Sequence, residues 1–510
     1  MTANATDRSP GEIVIGLDVG TTAVKAVAFG VGSTWRRTAV REYPLLTPRR
    51  GQQVQDPGTI AAAVFSALRA CAEQCAGSRV LSVSVSAAMH GLIGLDAGHR
   101  PLTPLVTWAD DRARGEAAEL RATGRATALH QSTGAPVHPM TPLTKLMWFH
   151  RAEPELCAKV RWWVGLKDYV LWLLTGSLVT ELSSASGTGL LDLSTRTWQP
   201  AAVDLAGIEP DQLPDVLPTT SLLPLAARAA GESGLPPGTP VCVGAADGPL
   251  GNLGSQAMAP GTVGLSLGTS GAVRAAVPEP FVAPGGRLFC YALTDTAWVV
   301  GGAVSNGSVV MRWAGRTFGG GSGDDGALSD QAVLSLAESV PAGCDGLVML
   351  PYLLAERAPL WDPDVPGAYL GVRHSHTRGH FVRAAMEGVA LQLSTVVDEL
   401  DRIEPVKSVQ VTGGAFRSPL WTSVIASVLG RPVHLVADAE GSALGAAALG
   451  LHALGRAPRL ADAPALLGAP SPDTGDPVPV SPADAEVYRN VRAAIPPLLS
   501  SYASVAELFA

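Results

Sequence analysis

The phrase VIGLDVGTTAVKAVAF begins at Val14 and returns, almost word for word, as TVGLSLGTSGAVRAAV at Thr262. Each copy is an apolar, β-branched run, a turn of Gly and small hydroxyl residues, and a second apolar run. That pattern predicts a β-hairpin. The segments after each hairpin also repeat in order: more strand, helix, strand, helix. The predicted helices cover 57–75, 141–151, 162–175, 380–403, 418–430 and 483–506. The predicted strands include 79–87, 239–247, 297–306 and 408–416. A duplicated α/β domain with the ligand between the copies is the simplest architecture for such a chain. The expected boundaries are 12–255 and 256–460, followed by a Pro-rich connector and last helix over 461–510; residues 1–11 read as a frayed tail.

Bulk properties agree with two packed domains. The chain has 510 residues, of which 47% are hydrophobic and 16% charged, enough apolar matter for two cores. A net charge of −8 speaks against a basic nucleic-acid-binding face. Cys71, Cys75, Cys157, Cys242, Cys290 and Cys344 are scattered without a CxxC pair, as buried thiols of a reducing cytoplasm are. The N-terminal MTANATDRSPGE has no apolar core of a secretory signal, and SALGAAALGLHALG (442–455) suits a closely packed helix better than a membrane span. The expectation is a cytoplasmic protein with no membrane or nucleic-acid partner.

Several further phrases, met in order, resemble the FGGY carbohydrate kinases of the actin-like ATPase superfamily. MTPLTKLMWFHR (140–151) and GAYLGVRHSHTRGHFVRAAME (367–387) resemble the two family signatures. LLAERAPLWDPDVPGAYLG is similar to the GERxP stretch, with Ala355 where Gly is usual, and Ala152 departs from the polar residue usual after the first signature. The resemblance covers about residues 12–455. Within the family, YPLLTP, VSAAMHGLIGLD, PLTPLVTWADDRA, GAPVHPMTPLTKL and GAADGPLGNLGS are similar to the gluconokinase branch. The implied fold is two ribonuclease H-like domains with the active site in the cleft between them.

The resemblance assigns roles. Backbone N–H groups of small-residue hairpins can approach phosphate oxygens closely. Gly20, Thr21 and Thr22 are implied as one grip on ATP, and Gly268, Thr269 and Ser270 as the other, with Lys25 adding positive charge. The first copy carries Asp18 where the second has Ser266, and only one copy needs to hold magnesium, so Asp18 is the implied Mg²⁺ partner. Asp247, at the expected end of a strand before a Gly-Pro break, is the implied general base, in contact with the sugar. Met89 and His90, and Trp108, Asp110 and Arg112 of WADDR, are the expected substrate contacts, with His138 and Lys167 as further candidates. Gly413 and Gly414 should border the adenosine, with Ser418 and Trp421 nearby and Gly302 and Asn306 lining the nucleotide cleft. Trp148, Trp162, Trp163 and Trp172 read as helical core residues. His374, His376 and His380 read as loop and helix-start polar groups rather than metal ligands.

The resulting expectation is an ATP- and Mg²⁺-dependent kinase acting on a sugar or sugar acid, D-gluconate first, forming a homodimer. Xylulokinase is the alternative within the family. A non-catalytic nucleotide or sugar sensor on the same fold is the alternative outside it.

Overall fold

The computed structural model describes residues 10–319, 328–436, 440–471 and 476–506. Most of the expected N-terminal tail, and residues 472–475 of the Pro-rich stretch, lie outside the described residues. The chain divides into two compact units. The first comprises Met1–Ala259, Ala276–Val300 and Glu440–Ser471; the second comprises Pro260–Ala275, Gly301–Ala439 and Pro472–Ala510.

Each repeated phrase forms a hairpin at the heart of a six-stranded mixed sheet. In the first sheet the strands are β1 (Glu12–Val19), β2 (Ala23–Gly30), β3 (Arg36–Glu42), β4 (Arg79–Ala87), β5 (Leu222–Pro224) and β6 (Pro240–Ala246), in the order β5-β6-β4-β1-β2-β3. β1 runs antiparallel to β2 and parallel to β4, and β4 runs parallel to β6. The second sheet holds β7 (Thr262–Leu267), β8 (Gly271–Val277), β9 (Phe289–Ala292), β10 (Trp298–Val304), β11 (Ser408–Thr412) and β12 (Val433–Leu435), in the order β9-β10-β8-β7-β11-β12. β7 again has an antiparallel hairpin partner on one side and a parallel strand on the other. The duplication read in the sequence is a duplication of this sheet.

The helices that matter here are α1 (Pro57–Gln74), α2 (Pro142–Ala152), α3 (Leu166–Thr175), α4 (Leu182–Ser186), α5 (Asp247–Gly254), α6 (Val309–Phe318), α7 (Asp330–Glu338), α8 (Arg378–Asp401), α9 (Pro419–Leu429), α10 (Gly441–Ala453) and α11 (Pro482–Ala506). Asp56 caps α1, its carboxylate accepting from the Thr59 N–H, and Ile60, Val64 and Leu68 of its buried face join Ile13, Ile15 and Leu17 of β1 in one core. Burying side chains of this size contributes about 1.5–3 kcal/mol each.

Three local readings change. Residues 162–175 are not one helix. Trp162–Val164 is a short strand paired with Ile93–Leu95, and α3 starts only after Gly165, whose N–H donates to the Asp168 carboxylate. Bulky aromatic and β-branched residues favour a strand there, and Trp163 is buried in it rather than in a helix. Asp247 does not end a strand. β6 stops at Ala246, and Asp247 opens α5, with Pro249 in the first turn where its missing N–H costs nothing. Finally, within 464–482, Leu467 is buried and Val478 pairs with Val433.

Helix α10 returns to the first unit and packs there at backbone contact. A Cβ on Gly16 of β1 would lie 2.0 Å from the Ala443 carbonyl oxygen, one on Gly445 would lie 2.0 Å from that of Leu250, and one on Gly254 would lie 1.9 Å from that of Gly441. Only glycine fits at these positions. The Ala- and Gly-rich composition of 442–455 is thus explained by helix packing. Among the described residues no helix is long and apolar enough to cross a membrane.

Candidate active site

The carboxyl ends of β1, β4 and β6 lie side by side. Asp18 is in register with Ser86, and Ser86 with Ala245, two residues before Asp247. This is where ligands bind in open α/β sheets. Ser86 Oγ donates to Asp18 Oδ1 at 2.7 Å. Burial raises the Asp18 pKa from 3.8 to about 6; the Ser86 hydrogen bond opposes this, the Asp247 charge adds to it, and Lys25, directly across the hairpin, opposes it. Asp247 Oδ1 accepts from the Gly248 N–H at 2.8 Å, and its carbonyl accepts from Ser442 Oγ of α10 at 3.1 Å.

Asp18 leads to a stability prediction. Above about pH 6 the folded protein carries a carboxylate that it disfavours, whereas the unfolded chain ionises near 3.8. That cost fades as pH falls from about 6 toward 3.8. Asp18→Asn is therefore expected to raise the Tm of the ligand-free protein at neutral pH, with little gain left at about pH 4. Calorimetry at the two pH values checks this. An equal gain at both would remove the charge from the explanation.

In both hairpin turns the backbone carbonyls are engaged within the protein. In the first, the Gly20 carbonyl accepts from Tyr43 Oη, that of Thr21 from Gln55 Nε2 at 2.5 Å and that of Thr22 from Tyr43 N–H at 3.0 Å. In the second, the Gly268 carbonyl accepts from the N–H and Oγ of Ser308 at 2.8 and 2.7 Å. The Thr269 carbonyl accepts from the N–H groups of Gly307 and Val309 at 3.2 and 3.3 Å. Among the described residues the N–H groups of Thr21, Thr22, Thr269 and Ser270 have no protein partner. With its carbonyls held from behind, each turn has the free N–H groups that an anion-binding concavity requires. Asn306 is not itself a lining residue. Buried, it donates to the Leu354 carbonyl and the Glu356 carboxylate and accepts from the N–H groups of Leu353 and Leu354. It braces the Gly307–Val309 turn from behind. Gly302 is also a packing residue, since a Cβ there would lie 2.6 Å from Ala358 Cβ.

The second unit has a cavity of about 850 Å³ lined by Gly268, Thr269, Arg312, Gly414, Ser418 and Trp421, among others. A small-molecule site falls in this size range. Four of these residues are among the expected nucleotide contacts, and Trp421 was expected beside them. Arg312 was not foreseen; it stands on α6, one turn after Ser308, with Nη2 3.4 Å from Thr269 Oγ1. The two glycines of VTGG divide the work. A Cβ on Gly414 would meet nothing within 4 Å, so its face is open, whereas one on Gly413 would lie 2.4 Å from the Leu267 carbonyl oxygen of β7. Gly413 lets two strands approach and is not the open face expected for the adenosine.

In the first unit, Met89, His90 and Trp108 are partly exposed near the carboxyl end of β4. His90 has φ +63°, its Nδ1 lies 2.8 Å from the Gly187 carbonyl, and its ring meets Tyr291 edge-on at 5.6 Å. A left-handed non-glycine residue at such a place marks local strain held by its surroundings. The neighbouring residues do not all face a substrate. Asp110 is buried with both oxygens taken: Oδ1 accepts from Arg112 Nε and N, Oδ2 from Arg112 Nη2 and the Gln53 N–H. The expectation that Asp110 binds a hydroxyl gives way to a clamp on Arg112, which also lies over the Trp148 ring at 4.9 Å. Lys167, 2% exposed, is ion-paired with Glu181, which in turn caps α4. His138 is buried and organises the start of α2, its Nδ1 accepting from the Met140 N–H. Arg112 and Lys167, the two cations among the expected substrate contacts, are thus each paired within the protein.

Lys145 is the residue that sequence reasoning passed over. It is fully buried in α2 and donates to the carbonyls of His90 at 2.6 Å and Thr107 at 2.7 Å. Burial lowers its pKa to about 7, with Asp110 opposing. A cation on an otherwise apolar helix face was the signal available.

Comparison with known proteins agrees with this geometry. Residues 13–254 match the N-terminal domain and residues 263–454 the C-terminal domain of the FGGY family of carbohydrate kinases. The chain is 38% identical over 450 residues to the gluconokinase of Bacillus subtilis (strain 168), covering 87% of this chain and 88% of that one. It is 30% identical over 450 residues to the xylulose kinase of the same organism, covering 86% and 87%. Among solved structures, the gluconate kinase of Lactobacillus acidophilus superposes with a TM-score of 0.91 at 31% identity, covering 98% of this chain and all of that one. The xylulose kinase of Lactobacillus acidophilus gives the same TM-score of 0.91 at 30% identity, over the same shares. With its duplicated hairpin sheets matched in both halves, this chain belongs to the FGGY family of carbohydrate kinases and is an ATP-dependent sugar kinase.

Proposed function

We propose that this kinase phosphorylates D-gluconate to 6-phospho-D-gluconate. The observation that carries this reading is the contrast in identity, 38% to a gluconokinase against 30% to a xylulose kinase from one organism. Met89, His90 and Trp108 hold the acceptor in this proposal. Asp247 takes the proton from the attacking hydroxyl. The donor rows of Gly20–Thr22 and Gly268–Ser270 bind phosphate oxygens, with Lys25 nearby, and Gly414, Ser418 and Trp421 border the adenosine.

Magnesium fits the first hairpin by the chemistry of its donors. Asp18 and Asp247 are hard oxygen groups whose charges disfavour one another. Among the described residues no three His, Cys, Asp or Glu side chains converge on a protein-only metal cage. A cation that keeps most of its waters suits such a site. Asp18 would hold it through those waters; when bound, the ion offsets phosphate charge as transfer proceeds.

The test is a substrate panel. kcat/KM for D-gluconate is expected to exceed that for D-xylulose by about tenfold or more, a difference of about 1.4 kcal/mol in transition-state binding. Faster turnover of xylulose would move the chain to the other branch of the family.

A further inference from the structure

In the first unit, hydrogen bonds at Trp108 and at its chain neighbour Thr107 connect the phosphate hairpin, through the Thr107–Trp108 backbone, to His90. Trp108 Nε1 donates to Thr21 Oγ1 at 2.9 Å. An indole N–H only donates, so at this bond the threonine hydroxyl accepts. Its own proton is left to point elsewhere. The Thr21 carbonyl is already taken by Gln55. One residue before Trp108, the Thr107 carbonyl accepts from Lys145 Nζ, and the same ammonium holds the His90 carbonyl. The Thr107 hydroxyl adds a bond to the Gln53 carbonyl at 2.8 Å. The loop carrying the tryptophan and the loop carrying the histidine are therefore tied to one buried group, and the tryptophan is tied to the hairpin.

We propose that Trp108 is a positioning residue for the phosphate hairpin: its indole N–H makes the Thr21 hydroxyl a committed donor toward phosphate, and an acceptor resting on the Trp108 ring thereby tightens the hold on the nucleotide. The second clause rests on the reading of Met89, His90 and Trp108 as the acceptor site. The ligands concerned are a polyol on one side and a nucleoside polyphosphate on the other. The ring alone could serve as a wall for the polyol, so a wall-only role and a linking role make different predictions. Removing only the N–H separates them.

The experiment uses the full-length protein and MgADP as probe, titrated calorimetrically with and without a saturating acceptor, taken as the best sugar in the panel. Trp108→Phe keeps a flat ring without the N–H, and Thr21→Val keeps the shape without the hydroxyl. Each single variant is expected to weaken MgADP binding about three- to tenfold, as loss of one hydrogen bond does. The double variant is expected to be no weaker than the weaker single one, a coupling readable by a double-mutant cycle. In the wild type the acceptor is expected to tighten MgADP about fivefold or more, and both single variants should lose that gain. Thr21→Ser, which restores the hydroxyl, should recover it. Additive losses in the cycle, or an acceptor-induced gain that survives Trp108→Phe, would overturn the proposal. So would a Trp108→Phe effect confined to the acceptor KM, which is what a wall-only role gives. The cycle on MgADP alone needs no acceptor. It decides the Trp108–Thr21 link even if gluconate fails as substrate, so the two failures stay distinguishable.

Discussion

Asp247→Asn is expected to lower phosphoryl-transfer turnover by about 10²–10⁴-fold, the range for losing a general base, while nucleotide affinity stays near the wild-type value. The variant keeps the size of the side chain and can still accept from the Gly248 N–H that the carboxylate now engages. The backbone around it is held by other groups: the Ala246 N–H donates to Ser183 Oγ at 3.2 Å, and the Asp247 carbonyl accepts from Ser442. The fold has no reason to change, so the loss should appear in the chemical step. Single-turnover rates with MgATP and the preferred sugar, alongside MgADP titrations, measure the two separately. Retention of a tenth of wild-type turnover would place the base elsewhere.

Gly445→Ala should cost about 3 kcal/mol or more and lower Tm by roughly 6–12 °C. Helix propensity alone predicts the opposite sign, since alanine is favoured over glycine in a helix by about 1 kcal/mol. The geometry reverses it. The added methyl would lie 2.0 Å from the Leu250 carbonyl oxygen and 2.7 Å from its carbon. Both are backbone atoms of α5, so no side chain can rotate out of the way. The two helices must separate, and α5 is the helix that starts at Asp247, so activity should fall with stability. Gly231→Ala is the control. That glycine lies in the helix Ala227–Ser233, exposed, with nothing within 4 Å of an added Cβ. It should stabilise by about 0.5–1 kcal/mol, as propensity says. Scanning calorimetry on both variants checks the pair; two shifts of the same sign would refute the packing argument.

The duplicated hairpins were legible because their information is local. A strand, a small-residue turn and a strand are written within one phrase, and the change from Asp18 to Ser266 could be read by comparing the phrases. The tasks of charged residues were less legible, because charge pairing is decided across the fold. Nothing in WADDR says that Asp110 will be consumed by Arg112 and Gln53 rather than by a ligand. Lys167 is a candidate substrate contact in the sequence, yet Lys145, in the stretch resembling the first family signature, is the one that holds both His90 and Thr107. Their difference lies in which carbonyl or carboxylate burial brings within reach. Gly413 and Gly414 are chemically identical neighbours, and only the approach of β7 to one of them separates packing from an open face. The misread helix at 162–175 failed for a similar reason: Trp162–Val164 finds a partner strand at Ile93–Leu95, far away in the chain.

The return of Glu440–Ser471 to the first unit bears on the order in which the protein can be made. On a ribosome, β1, β2 and β4 emerge early, but the helix that covers Gly16 at backbone contact emerges only after the second unit's hairpin, its cavity wall and α8 have been synthesised. Until then the surface around Gly16, Leu250 and Gly254 is left without its glycine-matched cover. A gene split near Ala259 would therefore yield an N-terminal fragment lacking a wall rather than an autonomous domain. Supplying Glu440–Ser471 as a separate peptide, or fusing it after Ala259, would be the rational way to rescue such a fragment. The same dependence means that a premature stop anywhere before α10 damages the half of the chain already made.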